Sequence, residues 1–164
     1  MRGRLSGVSH RTLVNILGFP AIAAVCLFGS MTVARATGTL DCAAKDKVID
    51  FAALSTVPYG QGGPFLNFQA ELNLLLEEAP DDFRHLKLDR SHLVHHWIDA
   101  REIKLLLYWE RIEGDHASVE FVVETRRRPD DDTSRGRYRL KLFTVMNDNS
   151  KMIERRGAVS CGVQ

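Results

Sequence analysis

The sequence predicts an all-β fold: an antiparallel meander that closes as a small β-barrel or stacks as a two-layer sandwich. Three observations predict it. Segment after segment alternates apolar and polar residues with period two, the signature of strands buried on one face. Short polar turns separate those segments. Two cysteines, Cys42 and Cys161, stand near the two ends of the alternating region. Strands joined by short turns pair as antiparallel neighbours, six to eight of them are expected, and a barrel or a sandwich would hide their apolar faces. The alternative is an α+β arrangement, with one or two helices drawn from residues 70 to 98 on an antiparallel sheet.

The first 36 residues differ in composition from the rest. Arg2, Arg4 and Arg11 precede an apolar run from Leu13 to Val33, and Ala34-Arg35-Ala36 follows it as a small-x-small triplet. That order is the pattern of a secretory signal peptide cleaved after Ala36, leaving residues 37–164 as a single disulfide-closed domain. The run is long enough to span a bilayer as an uncleaved anchor, but Pro20, Gly29 and the Ala-x-Ala site favour cleavage. Val25 directly before Cys26 is a poor match to a lipid-attachment site. The leader carries four arginines and no acidic residue, so its removal turns a net charge of +1 into about −3. A mildly acidic chain has no global electrostatic attraction for nucleic acid or anionic lipid. Cys26 leaves with the leader, and the remaining pair in an exported chain predicts a Cys42–Cys161 disulfide. The expected location is periplasmic or secreted, with membrane contact only through an uncleaved leader.

Within the remaining chain, Lys47 to Val57 reads as the first strand, with Val48, Ile49, Phe51, Ala53 and Leu54 as its apolar content. Pro58 to Pro64 is glycine-rich but lacks Gly-x-Gly-x-x-Gly and Gly-Lys-Ser/Thr, so it reads as a connection rather than a phosphate cradle. Phe65 to Glu77 places Leu66, Phe68, Ala70, Leu72, Leu74 and Leu76 on one face, and pattern outweighs the helix propensity of its leucines. Ala79 to Asp89 fits a short strand or a single helical turn. His92 to Asp99 reads as a strand next to the central hairpin.

That hairpin, Glu102 to Arg128, is the clearest element. Ile103, Leu105, Leu107 and Trp109 share one face of its first strand; Val119, Phe121, Val123 and Thr125 share one face of its second. Glu113-Gly114-Asp115-His116 supplies the turn, where glycine accepts positive φ. A helix from Ile103 to Ile112 would put Leu105, Leu106, Leu107 and Trp109 on no single stripe. Arg126 to Asp132 reads as a charged loop, and Gly136 to Val145 alternates Tyr138, Leu140, Leu142 and Thr144 against Arg137, Arg139 and Lys141. After a turn at residues 147 to 150, Met152 to Val163 closes the fold with Cys161 in its last strand.

Histidine is the richest candidate for chemistry. His85, His92, His95 and His96 lie within twelve residues, and His92 and His96 have the spacing of helical zinc ligands. Leu93 stands where a metalloprotease needs glutamate. On a strand the two would sit about 13 Å apart, too far for one ion, and His95 would share a face with Leu93 and Trp97 instead, so no metal site and no cofactor is expected. Asp89, Ser91 and His92 form a local cluster, whereas a catalytic triad converges from separate parts of a fold. Paired carboxylates such as Glu77-Glu78 sit beside turns, and Asp130 to Asp132 lack calcium-loop spacing.

Arg126, Arg128, Arg137 and Arg139, with Arg127, Arg135 and Lys141, form a basic patch that reads either as an anion or polysaccharide contact or as a charge-compensated hairpin end. Tyr108, on the half-apolar second face of its strand with Leu106, is a further candidate contact residue. The expected function is therefore that of a non-enzymatic envelope β-protein binding a protein, polysaccharide or small apolar ligand, with a role in envelope integrity within its scope. A metal-binding protein or enzyme built on the His85 to His96 cluster, and an inhibitor of an extracellular hydrolase, are the alternatives. No nucleic-acid partner is expected.

Overall fold

The computed structural model describes residues 37–58, 63–146 and 149–164. The expected leader lies outside the described residues. Nine strands form one sheet: β1 (Thr37–Lys45), β2 (Ile49–Pro58), β3 (Leu66–Leu74), β4 (His85–Asp89), β5 (Leu93–Ile98), β6 (Glu102–Glu110), β7 (Ala117–Arg127), β8 (Thr133–Met146) and β9 (Asn149–Val163). They pair in the order β4-β3-β2-β1-β9-β8-β7-β6-β5, every ladder antiparallel. The sheet curls into a nearly closed barrel, so of the two predicted solutions the barrel is the one adopted.

Nine strands exceed the six to eight expected, and the reason is physical. β4 is antiparallel to β3, and β5 is antiparallel to β6. Six antiparallel ladders separate β3 from β6, so those two run the same way and β4 and β5 do too. They are one pass of the chain, interrupted by a 3-10 turn at Arg90–His92, which pairs with β3 in its first half and with β6 in its second. The barrel thus has eight passes. His92, expected in a strand, belongs to the 3-10 turn between them.

Side chains close the seam where this pass switches partners. A second 3-10 turn, Asp81–Phe83, brings Phe83 edge-on to Trp109 of β6, ring centroids 4.5 Å apart. Arg111 lies over the Phe83 ring and grips Asp82 with two hydrogen bonds, Nε at 2.8 Å and Nη2 at 2.7 Å. That fork-to-fork pair holds the Asp82 carboxyl below its ordinary range. Further along the seam, Phe65 packs against the His96 ring, centroids 4.4 Å apart.

The interior is filled by side chains. Phe51 on β2 and Phe121 on β7 come from opposite walls, four ladders apart, and their rings meet at 4.7 Å; Tyr138 on β8 continues the cluster at 5.4 Å from Phe121. Leu40, Ile49, Phe68, Leu72, Leu74, Phe83, Leu93, Leu105 and Leu107 complete a single core. The predicted inward faces of the hairpin and of β8 are buried as expected, with Trp109 only partly so. Two details differ. Leu66 points outward, because a register shift opposite Leu54 and Thr56 and a positive φ of 52° at Asn67 break the alternation, and Phe65 takes the inward place. His95 and Trp97 do not share a face with Leu93: the register shifts between Leu93 and His95, so Leu93 is buried and the other two face outward.

β1 was not expected as a strand, yet it closes the ring. It pairs with β9 over Leu40 to Ala43, and Thr39 and Gln164 exchange both backbone hydrogen bonds just beyond. Counting along an antiparallel ladder from that doubly bonded pair, Cys42 and Cys161 are a non-hydrogen-bonded pair, the kind whose side chains approach closest. Their Cα atoms are 4.1 Å apart and they are joined as a disulfide on the inner face, both buried. The ladder ends at Ala43 and Ser160, and beyond it Asp46 accepts a 2.6 Å hydrogen bond from the buried Tyr138 hydroxyl. Gly157, opposite Tyr138, makes the space: a Cβ there would lie 2.7 Å from the ring's Cζ and collide with the Asp46 carboxylate.

Two stability measurements check this account. Replacing both cysteines by Ala frees a closed span of 119 residues, for which the loop-entropy model gives about 5 kcal/mol, and a loss of roughly 2 to 5 kcal/mol is expected in urea unfolding. Gly157→Ala overpacks the Tyr138 contact and should cost about 1 to 3 kcal/mol, whereas alanine at the exposed neighbour Arg156 should change little.

Candidate functional site

Three groups of polar side chains bear on function: the histidine turn, the wall of β6 to β9, and the rim that carries the β5–β6 and β7–β8 connections.

Around the Arg90–His92 turn, Asp89 is an N-cap. Its Oδ1 accepts from the Ser91 N–H at 2.9 Å and the Ser91 hydroxyl at 2.6 Å, and the Asp89 N–H donates to His92 Nδ1 at 3.1 Å, completing a capping box. Ser91, Asp89 and His92 therefore meet, but as a cap: the hydroxyl donates to the carboxylate, and the histidine nitrogen it would need as a base is occupied by a backbone amide. The Ser91 hydroxyl and backbone amide hold the Asp89 carboxyl down at about 2. His85 bonds Asn73, His95 faces outward from β5, and His96 lies half-buried against Phe65. Burial, and secondarily the charge of Arg90, holds the His96 imidazole below its ordinary range. Among the described residues, no three His, Cys, Asp or Glu side chains gather as metal ligands.

On the wall, alternation sends Arg135, Arg137, Arg139 and Lys141 outward from β8. Glu124 stands opposite Arg137, and Glu120 opposite Lys141 at 3.1 Å. Across β9, Arg156 stands opposite Arg139 and is held by Glu154 at 2.6 Å. Arg137, Arg139 and Arg156 border a shallow hollow of about 120 Å³ with Val122 and Glu124, and the Arg139 Nε is buried there without a hydrogen-bond partner. Tyr108, 37% exposed, lies further along β6 and donates to Glu110 at 2.8 Å. Much of this wall is the charge-compensated ladder that was one of the two readings of the patch.

The rim is different. β7 runs through Arg127 and β8 begins at Thr133, so the charged loop is shorter than expected. Arg101, Arg126, Arg127, Arg128 and Arg135 line one concavity of about 350 Å³ with Pro129, and no carboxylate is in its lining. Arg126 reaches Glu102 only at 3.6 Å, Arg135 pairs with Asp131, and Arg127 donates to the Ala100 carbonyl at 2.6 Å. The guanidinium groups of Arg101 and Arg128 make no hydrogen bond or ion pair among the described residues. Asp131 and Asp132 line an adjoining hollow together with Arg101, Arg127 and Arg128.

The structure thus divides the predicted contact residues. Arg126 and Arg128 lie in the rim concavity, Arg137 and Arg139 on the wall, and Tyr108 apart from both. Arg101, absent from the sequence-derived patch, joins the rim because the β5–β6 connection lies beside the end of β7, where the Arg127 N–H bonds the Arg101 carbonyl at 2.7 Å. No described helix is long and apolar enough to cross a membrane. Comparison with protein-family models, curated proteins and solved structures returns no match.

The Asp89 cap has a pH signature. With its folded pKa near 2, below the ordinary aspartate value of about 3.9, the cap's contribution is present above about pH 4 and is lost as pH falls through 2. An NMR titration of the Asp89 carboxyl should show that depressed midpoint, and Ser91→Ala should move it up toward the ordinary range; an unmoved midpoint would assign the depression elsewhere.

Proposed function

We propose that this chain is an exported, non-enzymatic binding protein of the cell envelope that engages an anionic partner through the arginine concavity at its rim. The leader pattern supports export, and cleavage after Ala36 would leave all nine strands intact. The Cys42–Cys161 disulfide is consistent with an oxidising compartment, periplasmic or extracellular. The filled interior turns attention to the outer surface, since rings from opposite walls meet at 4.7 Å where a small apolar ligand would sit.

The observation that carries the reading is the concavity lined by five arginines and no carboxylate, where the guanidinium groups of Arg101 and Arg128 make no hydrogen bond or ion pair among the described residues, although Asp131 lies close enough to feel the charge of Arg128. Guanidinium forks bind carboxylate, sulfate and phosphate groups bidentately, and a concave arrangement lets several converge on one ligand. The mildly acidic remainder of the chain would keep binding local to this rim.

Binding of inorganic polyphosphate to protein recovered from the envelope tests this. Saturable binding that weakens with salt is expected, and the Arg101→Ala/Arg128→Ala variant should bind at least tenfold more weakly with an unchanged melting temperature. Equal binding by the variant would reject the rim as the site. N-terminal sequencing of the same material should begin at Thr37.

A further inference from the structure

We infer that the anionic partner is an acidic polysaccharide, whose sugar rings stack on Trp97 while its acidic groups enter the arginine concavity; this rests on the proposed anion-binding role of the rim. Trp97 is 55% exposed, on the outer face of β5, although indole is among the most favourable side chains to bury. It is also held in place: its Nε1–H donates to Asp99 Oδ2 at 3.1 Å, and the same carboxylate's Oδ1 accepts from the Arg101 and Glu102 amides, each at 2.7 Å. Asp99 therefore fixes the indole and the backbone of an arginine of the concavity together. Those bonds keep the Asp99 carboxyl below its ordinary range, so the clamp is intact at neutral pH.

The ladder gives the spacing. Trp97 stands opposite Lys104 on β6, two residues along from Glu102, which stands opposite Arg126 on β7. Two strands across and two residues along separate the Trp97 and Arg126 Cα atoms by about 12 Å. A single small anion cannot touch both. A chain of linked sugars can, because a pyranose offers an apolar C–H face to an aromatic ring and, as a uronate or sulfated sugar, a planar or tetrahedral anion to a guanidinium fork. Lys104 and Glu102, paired at 3.1 Å, lie between the two and offer hydrogen-bonding groups to ring hydroxyls. An anionic bilayer also attracts arginine and tryptophan, but the guanidinium groups here surround a hollow, a shape that receives an inserted group.

Isothermal titration of protein recovered from the envelope, using polygalacturonate and alginate, neutral dextran, inorganic polyphosphate, and phosphatidylglycerol vesicles, tests this. The expected result is binding of at least one uronate polymer but not dextran, accompanied by a change in tryptophan emission. Affinity should fall about tenfold or more both in Trp97→Ala and in Arg101→Ala/Arg128→Ala. Polyphosphate binding that depends on the arginines, with no uronate binding or none that depends on Trp97, would overturn the glycan assignment and leave the anion-binding role standing. Binding to the vesicles alone would replace the glycan by a membrane surface. Binding of no anionic probe would remove both readings.

Discussion

Everything in this barrel depends on how its ring is closed. An open antiparallel sheet of this length would leave two edges of unpaired amides and carbonyls, and closure is what removes them. Here it happens twice by different means. β1 and β9 meet over a ladder four residues long, reinforced by the buried Cys42–Cys161 bond. On the far side no ladder runs the full height, because β4 serves β3 and β5 serves β6. The pairs Phe83–Trp109, Arg111–Asp82 and Phe65–His96 cover that gap with side chains. The covalent staple thus lies at the shortest of the β8–β9–β1–β2 ladders, where backbone pairing contributes least.

Closure also decides what the molecule can use for binding. With eight passes, the lumen of a barrel is about wide enough for its own side chains, and here Phe51, Phe121 and Tyr138 occupy it from wall to wall. Function in such a body falls to the rims and outer faces. The rim with the β5–β6 and β7–β8 connections gathers charge because three chain segments arrive there together. The ends of β7 and β8 bring Arg126, Arg127, Arg128 and Arg135, and the short turn after β5 adds Arg101. The wall below also carries cations; Arg139 faces Val122 and Arg156 there, but Glu124 stands opposite Arg137, and Glu120 and Glu154 stand opposite Lys141, at ladder spacing. Paired charges of that kind contribute tenths of a kcal/mol and little net field.

The sequence made most strands legible because alternation is a local property. The inward sets of β6, β7 and β8 follow period two across whole strands, and a one-residue error would have reversed every one of them. β1 escaped notice although Gly38, Leu40, Cys42 and Ala44 alternate inward, because glycine and alanine carry little strand propensity. Its signal was the cysteine itself, whose partner had to lie on a neighbouring strand. Leu66 and His95 were misplaced for another reason: each sits at a register shift, where one extra residue reverses the faces, and no composition rule announces it. The split of the 85–98 pass was equally hidden, since Asp89, Ser91 and His92 look like chemistry until the capping box is seen.

The same division between local and long-range information explains the site. A basic patch was visible between Arg126 and Lys141, but its division into a wall and a rim, where Arg101 and Arg128 make no ion pair among the described residues, depends on which strand each residue faces. Glu124 stands opposite Arg137, and Glu120 pairs with Lys141, only because β7 and β8 are in this register. Arg101 becomes part of the rim only because β7 returns the chain to the start of β6, 26 residues further on at Arg127. Trp97 shows the limit most clearly. Between His96 and Ile98 it resembles any strand aromatic destined for the core, and the shift between Leu93 and His95 turns it out to solvent. Once there, Asp99 holds it, two residues away and already committed to capping the next turn. The residue that orders this turn therefore also sets the orientation of the indole, so the position of the aromatic relative to the arginines is fixed by the fold.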